Sequence, residues 1–260
     1  MAARSSKRDV TPGARGAETA EPPQPAVKQE NAVKTPRIRD AAATRKRILD
    51  AATDEFAARG LSGARIDSIA QKAEANMRMI YHYYGSKEDL YAYVLEQAYE
   101  DIRSQEATLN LRNLAPFDAM MKLFDFTFSY FSANPQIVSL WTGENLQKGR
   151  SLLASRRAAT LSSPLVDAIR EILLAGEKEK AFRTGIVPLQ LYVSMVALSY
   201  FHISNAYTLS AIFETDLQSD AWKEERHRHA QAMLAAYLRP EADQHKGRGA
   251  TRRGLGKLSR

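Results

Sequence analysis

From residue 41 onward, apolar side chains recur along this chain at intervals of three and four, the spacing of helices with one buried face. Ile48, Leu49, Ala52 and Phe56 share one side of a first helix, and Gly60 follows as a stop. Two short helices are predicted at 66–73 and 77–83. Ser86-Lys87-Glu88-Asp89 then opens a longer one in the manner of a capping box, its serine oxygen free to accept a first-turn N–H. Further along, Phe117, Met120, Met121, Phe124 and Phe128 line a helix over 116–132, and Asn134-Pro135 starts the next. Ser163-Pro164 predicts a serine cap with proline at the first helical position. Behind it Leu165, Val166, Ile169, Ile172 and Leu173 form a stripe that Gly176 should end. An uncharged helix from about Val187 and a last helix from Asp220 to Leu238 complete the pattern. No stretch alternates as a strand would. The fold class is all-α.

The ends of the chain differ from this body. Residues 1–40, with Pro12, Pro22, Pro23, Pro25 and Pro36 and few large apolar groups, read as a disordered basic arm, and residues 240–260 as a basic disordered tail. The formal net charge is +7, and its excess sits in these two ends. Basic tails favour a polyanion such as DNA by releasing counterions, although a solvated tail that aids solubility explains either end as well. There is no cysteine, which excludes disulfides, thiolate metal sites and a cysteine nucleophile and fits a reducing, cytoplasmic setting. The start of the chain has no apolar run of signal-peptide type. Between Thr184 and Phe213 there is no charged side chain, a length that raises a membrane span. Pro188, Gln190, Ser194, Ser199, His202, Ser204 and Asn205 interrupt it, so a helix buried against protein is the better reading.

The chemistry concentrates between residues 64 and 90. Two short helices joined by about three residues, the second opened by Asn76, have the shape of a helix-turn-helix. If Ile80 and Tyr84 face inward, Arg78 and His82 lie about 160° away on the outer side, with Met77, Met79 and Tyr81 flanking them. That surface is poor core material but suits a major groove. Arginine forks onto guanine, methionine touches a thymine methyl, and tyrosine and histidine reach phosphates.

Ile69-Ala70, Ala73-Glu74-Ala75-Asn76, Ile80-Tyr81-His82-Tyr83-Tyr84, Ser86-Lys87-Glu88 and Leu90 together resemble the helix-turn-helix of the TetR family. Ile48-Leu49-Asp50-Ala51-Ala52 with Phe56 and Gly60 resembles that family's first helix. The resemblance implies that Asn76, Met77, Arg78 and Met79 face bases. It implies that Tyr81, His82 and Lys87 bind phosphate, as does Thr44 at the start of the first helix. Two positions depart from the pattern: Glu74 stands where the family has a turn glycine, and Arg65 where a serine or threonine starts the second helix. Ser62 or Asp67 is then left to cap it.

A looser resemblance covers Asn134-Pro135-Gln136-Ile137-Val138 with Glu144-Asn145, and Ala181-Phe182-Arg183 with Val187-Pro188. It implies a helical body, residues 87–239, that follows a DNA-binding domain at 41–86. The body's last two long helices would pair across a two-fold axis, making a homodimer on a palindromic double-stranded DNA operator in the cytoplasm, at the nucleoid. A small-molecule effector would bind within the body. Phe124, Phe128, Trp141, Tyr200 and His202 are the candidate pocket residues, although such aromatic side chains are first of all core material. No metal site, cofactor or catalytic residue is predicted. His227 and His229 are two apart, about 200° around a helix, unlike an i, i+4 ligand pair. Three functions remain: a ligand-responsive repressor, a DNA-binding protein of the same fold without a ligand, and a helical enzyme. No glycine-rich phosphate loop or His–carboxylate motif favours the last.

Overall fold

The computed structural model describes residues 37–155 and 158–240. Among them the order is α1 (Arg37–Gly63), α2 (Ile66–Lys72), α3 (Met77–Tyr84), α4 (Lys87–Ala107), a 3-10 turn at Leu111–Asn113, α5 (Pro116–Ala133) and α6 (Pro135–Leu146). There follow α7 (Arg150–Ala154), α8 (Ala158–Lys178), α9 (Pro188–Ser204), α10 (Ala206–Phe213) and α11 (Asp220–Leu238), and no strand occurs among the described residues.

Local chemistry sets most of these boundaries. Gly60 leaves helical geometry with φ 65° and kinks α1, as a stop residue should. Ser86 Oγ accepts the Asp89 N–H at 3.0 Å while Asp89 Oδ2 accepts the Ser86 N–H at 2.9 Å, so α4 opens on a complete capping box. Pro116, Pro135 and Pro188 each stand in the first turn of a helix, where a missing N–H costs nothing.

Several boundaries differ from those predicted. Helix α1 begins at Arg37, so it takes in the last four residues of the expected arm; residues 1–36 and 241–260 lie outside the described residues. Helix α8 begins at Ala158, with Pro164 inside it rather than at its first position. Ala158, Ala159 and Leu161 are strong helix formers, and the helix continues although Pro164 removes one ladder bond and crowds the carbonyl four residues earlier. Gly176 does not end that helix. It lies within it, because the Phe182 ring packs where a side chain would stand. The uncharged segment is two helices, divided at Asn205, whose Nδ2 donates back to the Phe201 carbonyl at 3.0 Å and competes with the helical ladder.

Two cores hold the molecule together, and α5 serves both. One joins Ile48, Ala52 and Phe56 of α1, Ile69 of α2, Ile80 of α3 and Leu90, Tyr91 and Leu95 of α4 to Phe131 of α5 and Val138, Leu140 and Trp141 of α6. The other joins Met120, Phe124 and Phe128 of α5 to Ile169 and Leu173 of α8, Leu191 and Met195 of α9, and Leu234 and Leu238 of α11. Each fully buried large side chain contributes about 1.5–3 kcal/mol. Because the first core runs unbroken from α1 through α4 to α6, the three-helix head and the body share packing across residue 87. Helix α6 lies along α1, a second route between head and body. No helix of the described residues is long and apolar enough to cross a membrane.

Candidate nucleic-acid interface

Helices α2 and α3 are joined by a turn at Ala73–Asn76. Glu74 occupies it with φ +49°, the left-handed conformation, so the chain keeps the glycine-type turn with a glutamate in it. The Ala75 N–H closes the turn onto the Ala70 carbonyl at 3.0 Å. Arg47 braces it from α1, its Nε donating to the Ala73 carbonyl at 3.1 Å. At the start of α2 the N-cap residue Arg65 makes no side-chain cap, but Asp67 Oδ1 accepts the first-turn Ser68 N–H at 2.9 Å. The Arg65 N–H donates to Glu55 Oε1 at 3.1 Å, and Arg65 pairs with Asp67 at 2.6 Å. The Arg65 hydrogen bond holds the Asp67 carboxyl down to about 2.

Helix α3 divides as its spacing requires. Ile80 and Tyr84 are buried, whereas Met77, Arg78, Tyr81 and His82 are exposed and Met79 is half-buried. Asn76 is exposed too, but its Oδ1 accepts the Arg78 N–H at 2.9 Å, so this oxygen caps the helix. The end of α3 is fastened by the Tyr84 hydroxyl, which donates to the Arg45 carbonyl at 2.9 Å. Lys87, half-buried, donates to the Ser62 carbonyl at 3.3 Å.

Thr44 is placed otherwise than expected. It is 5% exposed, and its hydroxyl accepts from Arg47 Nη2 at 3.2 Å. The reason is the early start of α1, which puts Thr44 about two turns inside the helix. Its neighbour Arg45 is exposed, with its guanidinium 4.7 Å from the Tyr83 ring centroid, on the side where α3 ends. An arginine next to the threonine was the only sequence signal for it.

The candidate pocket residues fall into two groups. Phe124, Phe128 and His202 belong together: His202 stacks on Phe128 at 5.0 Å, and His227 stacks on its ring at 4.4 Å. His202 is 3% exposed and neither ring nitrogen has a hydrogen-bond partner; burial, with help from the Arg226 charge, lowers its pKa to about 4. Trp141 and Tyr200 form the other group, stacked at 6.4 Å, with Tyr99 on the indole at 4.7 Å. They line a cavity of about 190 Å³ with Glu144 and Val196. His202 lines a larger cavity, about 510 Å³, between Phe56–Gly60 of α1, α6 and the α9–α10 junction. Tyr99 carries no sequence signal, and Glu144, part only of the looser resemblance, is not assigned to a pocket by it. Val196, on the helix expected to pair across a two-fold axis, packs against the first core of its own chain. Among the described residues no three His, Asp or Glu side chains are placed to hold a metal ion.

Comparison with known proteins identifies the family and the fold. Residues 48–94 match the family model for bacterial regulatory proteins of the tetR family, and residues 116–234 match a tetracyclin repressor-like C-terminal domain. The HTH-type transcriptional repressor NicS of Pseudomonas putida is 37% identical over 181 residues, 70% of this chain and 85% of that protein. The HTH-type transcriptional regulator RutR of Escherichia coli K12 is 27% identical over 213 residues, 81% of this chain and 99% of its own. A solved TetR transcriptional regulator from Chloroflexus aurantiacus shares the fold with a TM-score of 0.57 at 20% identity, covering 77% of this chain and 96% of that one. With a helix-turn-helix head and a helical body both matched, the chain belongs to the TetR family of DNA-binding transcriptional regulators, which are not enzymes.

Proposed function

We propose that the chain is a homodimeric repressor of a palindromic operator, released when a small molecule occupies its helical body. The observation that carries this reading is the outer face of α3, where Met77, Arg78, Tyr81 and His82 project from a helix whose other face is locked in the core. Arg78 is the base-reading side chain, with Met77 and Met79 beside it. Tyr81, His82, Lys87 and the newly placed Arg45 bind phosphates, and Asn76 sets the start of the helix. Thr44 supports Arg47 from within α1. A single head touches one half-site, so two copies paired through α9 and α11 gain affinity and palindromic specificity. The regulator acts on DNA in the cytoplasm, at the nucleoid.

Selection of bound sequences from random DNA tests this directly: the outcome required is a two-fold symmetric site. On that site Arg78→Ala should cost about 1–3 kcal/mol and relax specificity at one position, while Lys87→Ala should weaken all sequences alike and lower the salt slope by about one. An asymmetric or featureless selection would remove the operator reading.

A further inference from the structure

Glu144 is a buried carboxylate with half its hydrogen-bonding unmet. It is 3% exposed, and its Oε1 accepts the backbone N–H groups of Ser151 at 2.7 Å and Leu152 at 3.1 Å, holding the first turn of α7. Its Oε2 is buried with no hydrogen-bond partner and no basic side chain within ion-pair distance among the described residues. The Tyr91 hydroxyl stands beside the carboxylate and makes a long contact to the Leu140 carbonyl at 3.5 Å; burial, then the charge and proximity of Glu144, push it up to about 12. Arg103, one turn beyond Tyr99 on α4, is already paired with Glu106. A buried acid left this way costs stability unless something else completes it.

What surrounds it fits one kind of completion. Glu144 lines the 190 Å³ cavity with Tyr99, Trp141 and Tyr200, and is its only acidic or basic lining residue among the described residues. The Tyr99 and Trp141 rings lie 15° from parallel and the Trp141 and Tyr200 rings 22°. Aromatic faces carry negative potential and attract cations, most strongly when water is excluded. The cavity is several times the ~30 Å³ of one water molecule. Burial pushes the Tyr99 hydroxyl up to about 12, so that ring stays neutral at physiological pH.

We infer that this cavity, built by Glu144, Tyr99, Trp141 and Tyr200, is a binding site for a small organic cation, an alkylammonium or amidinium group. The inference rests on the ligand-release reading above and names the chemistry of its effector. The location suits control: Tyr99 stands on α4, which leads from the head, and Trp141 and Glu144 stand on α6, which lies along α1. A cation between them separates α4 from α6 and α9, and both contacts lead to the recognition helix.

The test uses the full chain carrying Trp222→Phe, which leaves Trp141 as its one tryptophan. Tetramethylammonium, choline and benzyltrimethylammonium are titrated by calorimetry and tryptophan fluorescence, with 3,3-dimethylbutan-1-ol as neutral isostere and benzoate as anion. At least one cation should bind and shift the emission, with the alcohol and benzoate tenfold weaker or silent. Glu144→Gln keeps an oxygen for the α7 N–H groups and should lose tenfold or more in cation affinity. Tyr99→Leu, a second variant with an intact carboxylate, should lose affinity too. Cation binding equal to that of the alcohol, or unchanged in a folded Glu144→Gln, overturns the inference, and so does silence of all three cations. Operator affinity is read separately. Cations that bind without releasing DNA support the site and remove the release reading. A neutral or anionic compound that releases DNA while no cation binds overturns the cation and leaves release standing.

Discussion

The Tyr84 hydroxyl reaches from the last residue of α3 to the Arg45 carbonyl in α1, 2.9 Å away and 39 residues earlier. Its ring is at the same time packed edge-on against Tyr93 of α4 at 5.3 Å, so one side chain ties the recognition helix to both neighbours. Tyr84→Phe keeps the ring and removes only the donor. Stability should fall by about 0.5–1.5 kcal/mol in urea denaturation, the net worth of a hydrogen bond. An unchanged midpoint would mean that the ring alone positions α3.

Glu74 bears the cost of a turn built for glycine. A residue with a Cβ in the left-handed region loses roughly 1–2 kcal/mol, of which glycine's greater freedom in the unfolded chain returns part. Glu74→Gly should therefore raise stability by about 0.5–1 kcal/mol and raise the melting temperature. It also removes an exposed acid next to α3, so affinity for any DNA should rise at low salt. A lower melting temperature would show that the glutamate side chain contributes a contact worth more than the strain.

The pattern of this chain made some of these features readable and hid others. Ser86 and Asp89 announced α4 because a capping box is local, and the inward turn of Ile80 and Tyr84 followed from spacing alone. Thr44 is hard to place because nothing in residues 37–40 marks a helix start, so a position within α1 reads as its exposed end. Ser163-Pro164 looked like a start for the opposite reason: a strong local signal lay within a longer helix. The uncharged stretch from Val187 reads as a pairing helix on hydrophobicity, which does not say that residues such as Val196 pack against their own chain. Glu144 is visible as part of a motif, but its burial beside a cavity depends on what surrounds it in space.

Gly176 is another case of spatial cause. A Cβ there would lie 2.0 Å from Cδ2 of Phe182, whose ring is buried under α8. Gly176→Ala should force the ring out of place and cost about 1–3 kcal/mol by overpacking. Phe182→Leu added to it should recover part of that loss if the clash is the cause. Additive losses in the double variant would argue for a backbone effect instead.

His202 makes stability depend on pH. Its folded pKa of about 4 lies below the ordinary 6.5, so the native state holds it neutral and the unfolded chain takes up a proton first. The stability it contributes is whole above pH 6.5 and is lost as pH falls toward 4, on the order of 3 kcal/mol at 1.36 kcal/mol per unit. His202→Phe keeps the stack on Phe128 and removes the titration. Urea denaturation from pH 7 to 4 should show a flatter decline in this variant, by about one proton. Parallel declines would place the acid sensitivity elsewhere.

The pairing of two copies depends on the outer side of α9. Leu189, Val193, Ala197 and Phe201 follow one another every four residues and are exposed in the single chain, Val193 by 53% and Phe201 by 56%. Met233 and Tyr237 expose a similar apolar face on α11. A monomer has no use for such a surface, and two-fold pairing would bury it. Val193→Glu is a clean probe, because a charge at an exposed position changes monomer stability by no more than about 0.5 kcal/mol. In a paired interface the same charge would lose its water without gaining a partner, and association should fail. Val196→Glu lacks that clarity, since Val196 packs against its own chain's core. Light scattering on Val193→Glu should report a folded monomer, and affinity for a full palindrome should drop to that for a half-site. A variant that stays dimeric places the interface on another face. A folded monomer that holds the palindrome as tightly as the parent would make pairing irrelevant to recognition, and a repressor built on two heads would then be the wrong mechanism.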